Sequence, residues 1–242
     1  MSMDPLVSRA RALWQELAAA EPGAAFGTPG RPAVLVAPGS ALAPPSWVGV
    51  VTVGDGALIT APTDRAANSV RSALTGLTAA ALTDPATVAR LLPVADTLGP
   101  AVLGYLAPDA LRPVGRTAAP ATCLSPEHAS LRALLAEAGP SDAGESGLAD
   151  VTSPVFVVRD GTEVLAAAGY EHWTRGTAHL CVLTAPAARG RGLARQVAHA
   201  ATAHALAAGL LPQWRARPPA SRRVARALGY REVGRQLSVR PA

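Results

Sequence analysis

The segment Thr184-Ala-Pro-Ala-Ala-Arg189-Gly190-Arg191-Gly192-Leu193-Ala194 holds the residues best able to do chemistry. It lies between an apolar run, Ala178–Thr184, and a stretch of helical periodicity, Leu193–Ala208. Glycines at such a strand-to-helix junction let the backbone turn sharply and bring successive N–H groups to bear on one point, beside the positive end of the helix dipole. A phosphate or pyrophosphate suits that arrangement. There is no Gly-Lys-Ser/Thr of a P-loop, and no G-x-G-x-x-G with an acid ~20 residues on. A helix-starting turn with no ligand would use the same glycines, so on the residues alone both readings stand.

Charge points the same way. All 22 basic residues are arginine, which excludes lysine catalysis. Residues 1–150 carry 9 Arg against 13 acids, and residues 151–242 carry 13 Arg against 4. The basic part wants an anionic partner, such as nucleic acid, a phosphate-bearing cofactor or an acidic protein face, unless its arginines form a solvated helix face. Aromatics are only 4%, too few for a base-stacking surface, so no nucleic-acid partner is expected. Cys123 and Cys181 cannot make a disulfide framework, and no Cys/His cluster has the spacing of a zinc site, so no metal is expected. The N-terminus lacks a signal-like apolar core, and no uninterrupted apolar stretch of ~18 residues occurs. A cytoplasmic protein without a membrane partner is the expectation.

The elements that position the glycine turn follow from periodicity. Pro154–Arg159 and Thr162–Tyr170 read as strands joined at Asp160-Gly161, where a type I′ turn would need positive φ at both central residues. Ala178–Thr184 is a third strand and Leu193–Ala208 a helix. Gln213–Arg217, a short helix over Ala220–Leu228 stopped by Gly229, and a strand Tyr230–Val239 complete the order βββαβαβ, an α/β sheet. Upstream, Ser125 and Pro126 predict the cap and first residue of a helix running to about Ala138, and Gly139–Gly147 a mobile loop. Earlier still, helices are predicted over Asp4–Ala20, Arg65–Leu77 capped by Asp64, and Asp84–Leu92. Strands are expected at Ala33–Ala37, Trp47–Val53 and Ala101–Leu106. Leu111–Ala121 reads as a connector.

With these elements in place, Arg189-Gly190-Arg191-Gly192-Leu193-Ala194 resembles the Q/R-x-x-G-x-G/A signature of the GNAT superfamily of acetyl-CoA-dependent N-acetyltransferases. The strand His179-Leu-Cys-Val-Leu-Thr184, Pro186, and Ser221 through Leu228-Gly229-Tyr230 extend the resemblance over roughly residues 115–240. It implies a GNAT-like mixed sheet with antiparallel hairpins and crossover helices. Acetyl-CoA is the implied cosubstrate. Val182, Leu183 and Thr184 would meet the pantetheine arm where two strands splay, and Arg189, Gly190, Arg191, Gly192, Leu193 and Ala194 would cradle the pyrophosphate. Arg195, Arg222 and Arg223 are either rim contacts to the 3′-phosphate and adenine or a solvated helix face.

The sequence departs from the family at two places. Pro218 stands where many members have Asn, and Ala225 where a tyrosine often protonates the leaving thiolate, which leaves Tyr230 as a weak substitute. For the base that takes the amine proton, Glu171 and His172 are favoured among the nearest titratable residues, with His179 as the third. Trp173 and Trp214 either line the acceptor cleft or pack in the core. Residues 1–114 are expected to form a smaller α/β unit, for which the resemblance suggests a degenerate GNAT-like half as in two-part acetyltransferases of the zwittermicin-resistance type, and residues 115–242 the GNAT domain. The implied activity is acetylation of a primary amine on a small molecule, in antibiotic resistance or natural-product tailoring, by a monomer or homodimer. A non-catalytic acyl-CoA-binding regulatory module and a protein or peptide N-acetyltransferase are the alternatives.

Overall fold

The computed structural model describes residues 4–19, 25–115 and 120–242; parts of the predicted N-terminal helix and connector fall outside them. The chain is of the mixed α/β class expected, with ten strands and seven helices among the described residues. Its contacts divide it into two units, Met1–Leu103 with Glu232–Ala242, and Gly104–Arg231. The second is thus inserted in sequence between two strands of the first. Among the described residues no helix is long and apolar enough to cross a membrane.

The first unit opens with α1 (Pro5–Leu17), started by Pro5 and by Asp4, whose carboxylate accepts from the Leu6 amide. Ala10, Leu13 and Trp14 are its buried stripe. β1 (Ala33–Val36), β2 (Val48–Val53) and β3 (Gly56–Ala61) follow. β3 is absent from the sequence expectation because Gly56, Ala57 and Thr60 blur any alternation. It forms because it is buried on both faces, antiparallel to β2 and parallel to β1. α2 (Asp64–Leu74) is capped by Thr63, which accepts from the Ala66 amide, and Asp64 instead occupies the first turn. α3 (Ala79–Leu82) and α4 (Pro85–Leu91) come next, the latter with Asp84 and Pro85 in the predicted roles. The 12-residue β4 (Val94–Tyr105) then carries the chain into the second unit, and starts earlier than predicted.

The second unit has a short β5 (Thr122–Leu124), α5 (Ala129–Ser146), β6 (Val155–Asp160), β7 (Glu163–Trp173) and β8 (Thr177–Thr184). α6 (Leu193–Ala207), β9 (Leu211–Ala216) and α7 (Pro219–Leu228) follow. α5 starts later than predicted: Ser125 turns onto the Glu127 carboxylate, and the His128 ring caps the helix by accepting from the Ser130 amide at 3.2 Å. The segment expected as a loop is helical from Pro140, after a break at Gly139. The β6–β7 turn also differs. Its two loop residues are Gly161 and Thr162, of which only Gly161 has positive φ, as a type II′ turn requires. The strands run in the spatial order β9-β8-β7-β6-β5. One face, with Ala166, Ala168, Tyr170 and Leu180, packs on Val197, Ala201 and Ala205 of α6. The other, with Val155, Val157, Ala167, Cys181 and Leu183, packs on Leu131 and Leu134 of α5. Gly229 ends α7 at φ 101°, and a Cβ there would lie 2.1 Å from the Ala110 carbonyl oxygen, so only glycine fits.

The last strand, β10 (Arg231–Pro241), lies in the first unit. It pairs antiparallel with β2 from Gly234↔Val53 to Val239↔Val48, and the strand order there is β1-β3-β2-β10-β4.

Candidate active site

β8 delivers the glycine turn. After Thr184 the chain makes a short 3-10 turn, Pro186–Ala188, then Gly190 and Gly192 each adopt φ 78°, a conformation costly to residues with a Cβ. A Cβ at either glycine would meet nothing within 4 Å, so the turn borders open space. Gly192 is the N-cap of α6 and no side chain caps that end. The first-turn amides of a 15-residue helix are therefore left for another acceptor, at the positive end of its dipole. Arg189 and Arg191 flank the turn and are exposed. Arg189 Nη2 lies 2.5 Å from Asp142 Oδ2. Donors, charge and free space fit a pyrophosphate such as that of acetyl-CoA.

Beside that turn the sheet comes apart. β8 and β9 run parallel, but their pairing covers only Thr177↔Leu211, Ala178↔Pro212 and His179↔Gln213. β8 continues to Thr184 and β9 to Ala216 without further pairing. From Leu180 to Thr184, the edge of β8 facing β9 thus has backbone groups without sheet partners on that side. Val182, Leu183 and Thr184 all lie on this stretch, and the Thr184 hydroxyl oxygen is itself buried without a partner among the described residues.

A polar cluster marks the apex of the gap. Cross-strand partners share a face, so Glu171 and Trp173 of β7, Thr177, His179 and Cys181 of β8, and Gln213 of β9 lie together on the α5 side. The Trp173 and His179 rings stack at 4.1 Å and 15°. Trp173 Nε1–H donates to Glu171 Oε2 at 2.8 Å, and the Arg215 guanidinium carbon lies 5.9 Å from the Trp173 ring centre. His179 Nδ1 is 2.5 Å from Gln213 Oε1. An amide oxygen only accepts, so Nδ1 carries the proton and Nε2 keeps a lone pair. Burial, and after it the nearby Arg215 charge, pushes the His179 pKa down to about 4 against the opposing Gln213 bond. The ring is therefore neutral at pH 7. Among the described residues the Gln213 amide nitrogen and the Thr177 hydroxyl, both fully buried, have no partner. Cys181 is pushed up to about 12, chiefly by burial, so it is a thiol and no nucleophile.

The two residues favoured as bases from the sequence separate. Glu171 is at the apex, holding Trp173. His172 points from the other side of β7, where its Nδ1 is 2.8 Å from the Thr152 hydroxyl. His179, third in the sequence reading, sits where the strands part, a position that only the pairing register reveals. Tyr230 is fully buried, its hydroxyl 2.8 Å from that of Thr202 and its pKa raised by burial. Trp214 packs in the α6-side core with Nε1–H donating to Ser221. Arg195 donates to the Pro113 carbonyl, and Arg223 is exposed on α7.

Comparison with protein families adds an independent observation. Residues 155–235, from the start of β6 into β10, match the family model described as GNAT acetyltransferase. Over this third of the chain the sequence is similar to GNAT acetyltransferases. No curated protein matches. Solved structures similar to the chain include a GCN5-related N-acetyltransferase from Kribbella flavida, at 19% identity and TM-score 0.48, covering 65% of this chain and 63% of that one. An acetyltransferase of the GNAT family from Colwellia psychrerythraea matches at 16% identity and TM-score 0.46, covering 64% of this chain and 59% of the other. The chain spans only about three fifths of the length of such structures.

Proposed function

We propose that the chain is an acetyl-CoA-dependent N-acetyltransferase that acts on a primary amine of a small molecule. The observation that carries this reading is the parting of β8 and β9 at His179↔Gln213, with the open Gly190/Gly192 turn at the far end of β8. Acetyl-CoA would supply the acetyl group as a thioester, its phosphates held by the first-turn amides of α6 with Arg189 and Arg191. The unpaired edge of β8 at Val182–Thr184 would bind the pantetheine arm and offer an amide to the carbonyl oxygen as negative charge develops there.

His179 takes the role of proton acceptor. Once the amine nitrogen bonds to carbon it becomes a far stronger acid, so a neutral imidazole is basic enough to receive its proton. Gln213 fixes the tautomer through Nδ1–H and leaves Nε2 for that proton. Glu171, across the ladder from His179, holds the Trp173 ring that stacks on the imidazole. The thiolate is a good leaving group and takes its proton from water, since Tyr230 is engaged with Thr202.

Calorimetric titration of acetyl-CoA into the wild type and a Gly192→Asp variant, beside a thiol-release assay over a panel of amines, tests the reading. Binding that the variant loses, with thiol release for an amine, is the expected result. Binding without release for any amine would favour the acyl-CoA-binding module, and no binding would overturn both.

A further inference from the structure

α5 is two helical pieces. Gly139 breaks it at φ 79° and ψ 165°, Pro140 follows, and Gly147 at φ 63° ends the second piece. That piece carries two carboxylates, and each holds an arginine that follows one of the two strands that part. Asp142 pairs with Arg189, just beyond β8, and Glu145 pairs with Arg217, just beyond β9. Behind them Gly147 lies close on Cys181 of β8, where an added Cβ would come within 3.0 Å of the sulfur. Residues 140–146 are thus tied to both sides of the gap. Their sequence, Pro-Ser-Asp-Ala-Gly-Glu-Ser, is a poor helix former, and a helix of about two turns has no stability of its own. The four charged side chains are 51%, 45%, 42% and 28% exposed, so each pair is a weak, screened contact that a better partner can displace.

We propose that residues 140–146 are a strap, closed over the gap by the Asp142–Arg189 and Glu145–Arg217 pairs and loosened when phosphate groups of bound CoA take Arg189. This rests on the reading above that Arg189 belongs to the phosphate cradle. The event is an exchange of one anionic partner of Arg189 for another, with no bond made or broken. Asp142 is then a competitor of the ligand, and removing it strengthens binding. Glu145 remains as a tether that limits how far the strap moves.

The test combines calorimetric titration of CoA with hydrogen exchange of amides 141–147. It uses the wild type, Asp142→Asn, Asp142→Asn with Glu145→Gln, and Glu137→Gln, an exposed acid on the first piece of α5 with no ion pair among the described residues. CoA binds Asp142→Asn roughly two- to fivefold more tightly than the wild type, while Glu137→Gln binds as the wild type does. Amides 141–147 exchange faster in the wild type when CoA is added, and faster in the ligand-free double variant. Equal affinity of Asp142→Asn and Glu137→Gln, or slower exchange on adding CoA, overturns the strap. If CoA does not bind the wild type, the acetyl-CoA reading fails. The strap then stands or falls on the ligand-free exchange: it stands if the double variant exchanges faster than Glu137→Gln, and it is overturned if the two are the same.

Discussion

At the scale of single residues, His179 couples the site to stability. Its folded pKa, about 4, lies below the ordinary value of 6.5, so an unfolded chain takes up a proton that the native ring refuses. The stabilisation is complete above pH 6.5 and is lost as pH falls toward 4. The span corresponds to about 3 kcal/mol. Urea unfolding of wild type and His179→Gln at pH 7 and pH 4.5 should show the variant losing less stability on acidification; parallel losses would mean the ring is not held neutral. Thiol release by His179→Gln should fall by about 10²-fold or more if Nε2 takes the amine proton. Tyr230 predicts the opposite pattern. Tyr230→Phe leaves the buried Thr202 hydroxyl unpaired and costs about 1–3 kcal/mol in a denaturation experiment. Thiol release should stay within about twofold, whereas loss of a general acid would cost about 10²-fold or more.

At the scale of elements, the junction of β8 and α6 turns on Gly192. Gly192→Ala costs about 1–2 kcal/mol, from the left-handed conformation alone, because the space around the Cβ is open. Gly192→Asp costs a similar amount in thermal denaturation but places a carboxylate where an anion should bind, and abolishes acetyl-CoA titration heat. Equal binding by the two variants would show that the turn shapes the chain and holds no phosphate. This junction was legible in the sequence because its signals are local: a glycine pair between an apolar run and a 3.6-residue period. The apex was not, since His179 and Gln213 are 34 residues apart and only the register of a parallel ladder makes them neighbours. β3 hides for a related reason. Burial on both faces removes the alternation by which a strand is recognised, and Gly56-Ala-Leu-Ile-Thr-Ala61 reads as nothing in particular until its neighbours are known. The second piece of α5 defeats propensity outright, as its acids find arginines that follow two distant strands.

At the scale of the whole chain, the sequence runs linearly through β4 into the second unit, while the contacts return Glu232–Ala242 to the first. No composition shift marks that return, because β10 has the same apolar and polar alternation whichever unit it joins. Its place inside the first sheet, between β2 and β4, makes the C-terminus indispensable to a unit that begins at the other end of the chain. Leu237 and Val239 are 0% and 2% exposed and sit in the core with Val48, Val50 and Ile59. Deleting 232–242 removes these two side chains, each worth about 1.5–3 kcal/mol, together with a six-pair ladder along β2, whose every residue is buried. Such a loss is comparable with the whole stability of a domain, about 5–15 kcal/mol. A chain ending at Arg231 should therefore lose hydrogen-exchange protection across Val48–Val53 and Gly56–Ala61 first. The amides of β7 and β8, whose ladder partners all lie within 104–231, should keep theirs longer. Protection retained at Val48–Val53 in the truncated chain would mean that β10 is an ornament on a sheet complete without it, and the division of the chain at Leu103 and Glu232 would not describe how it folds.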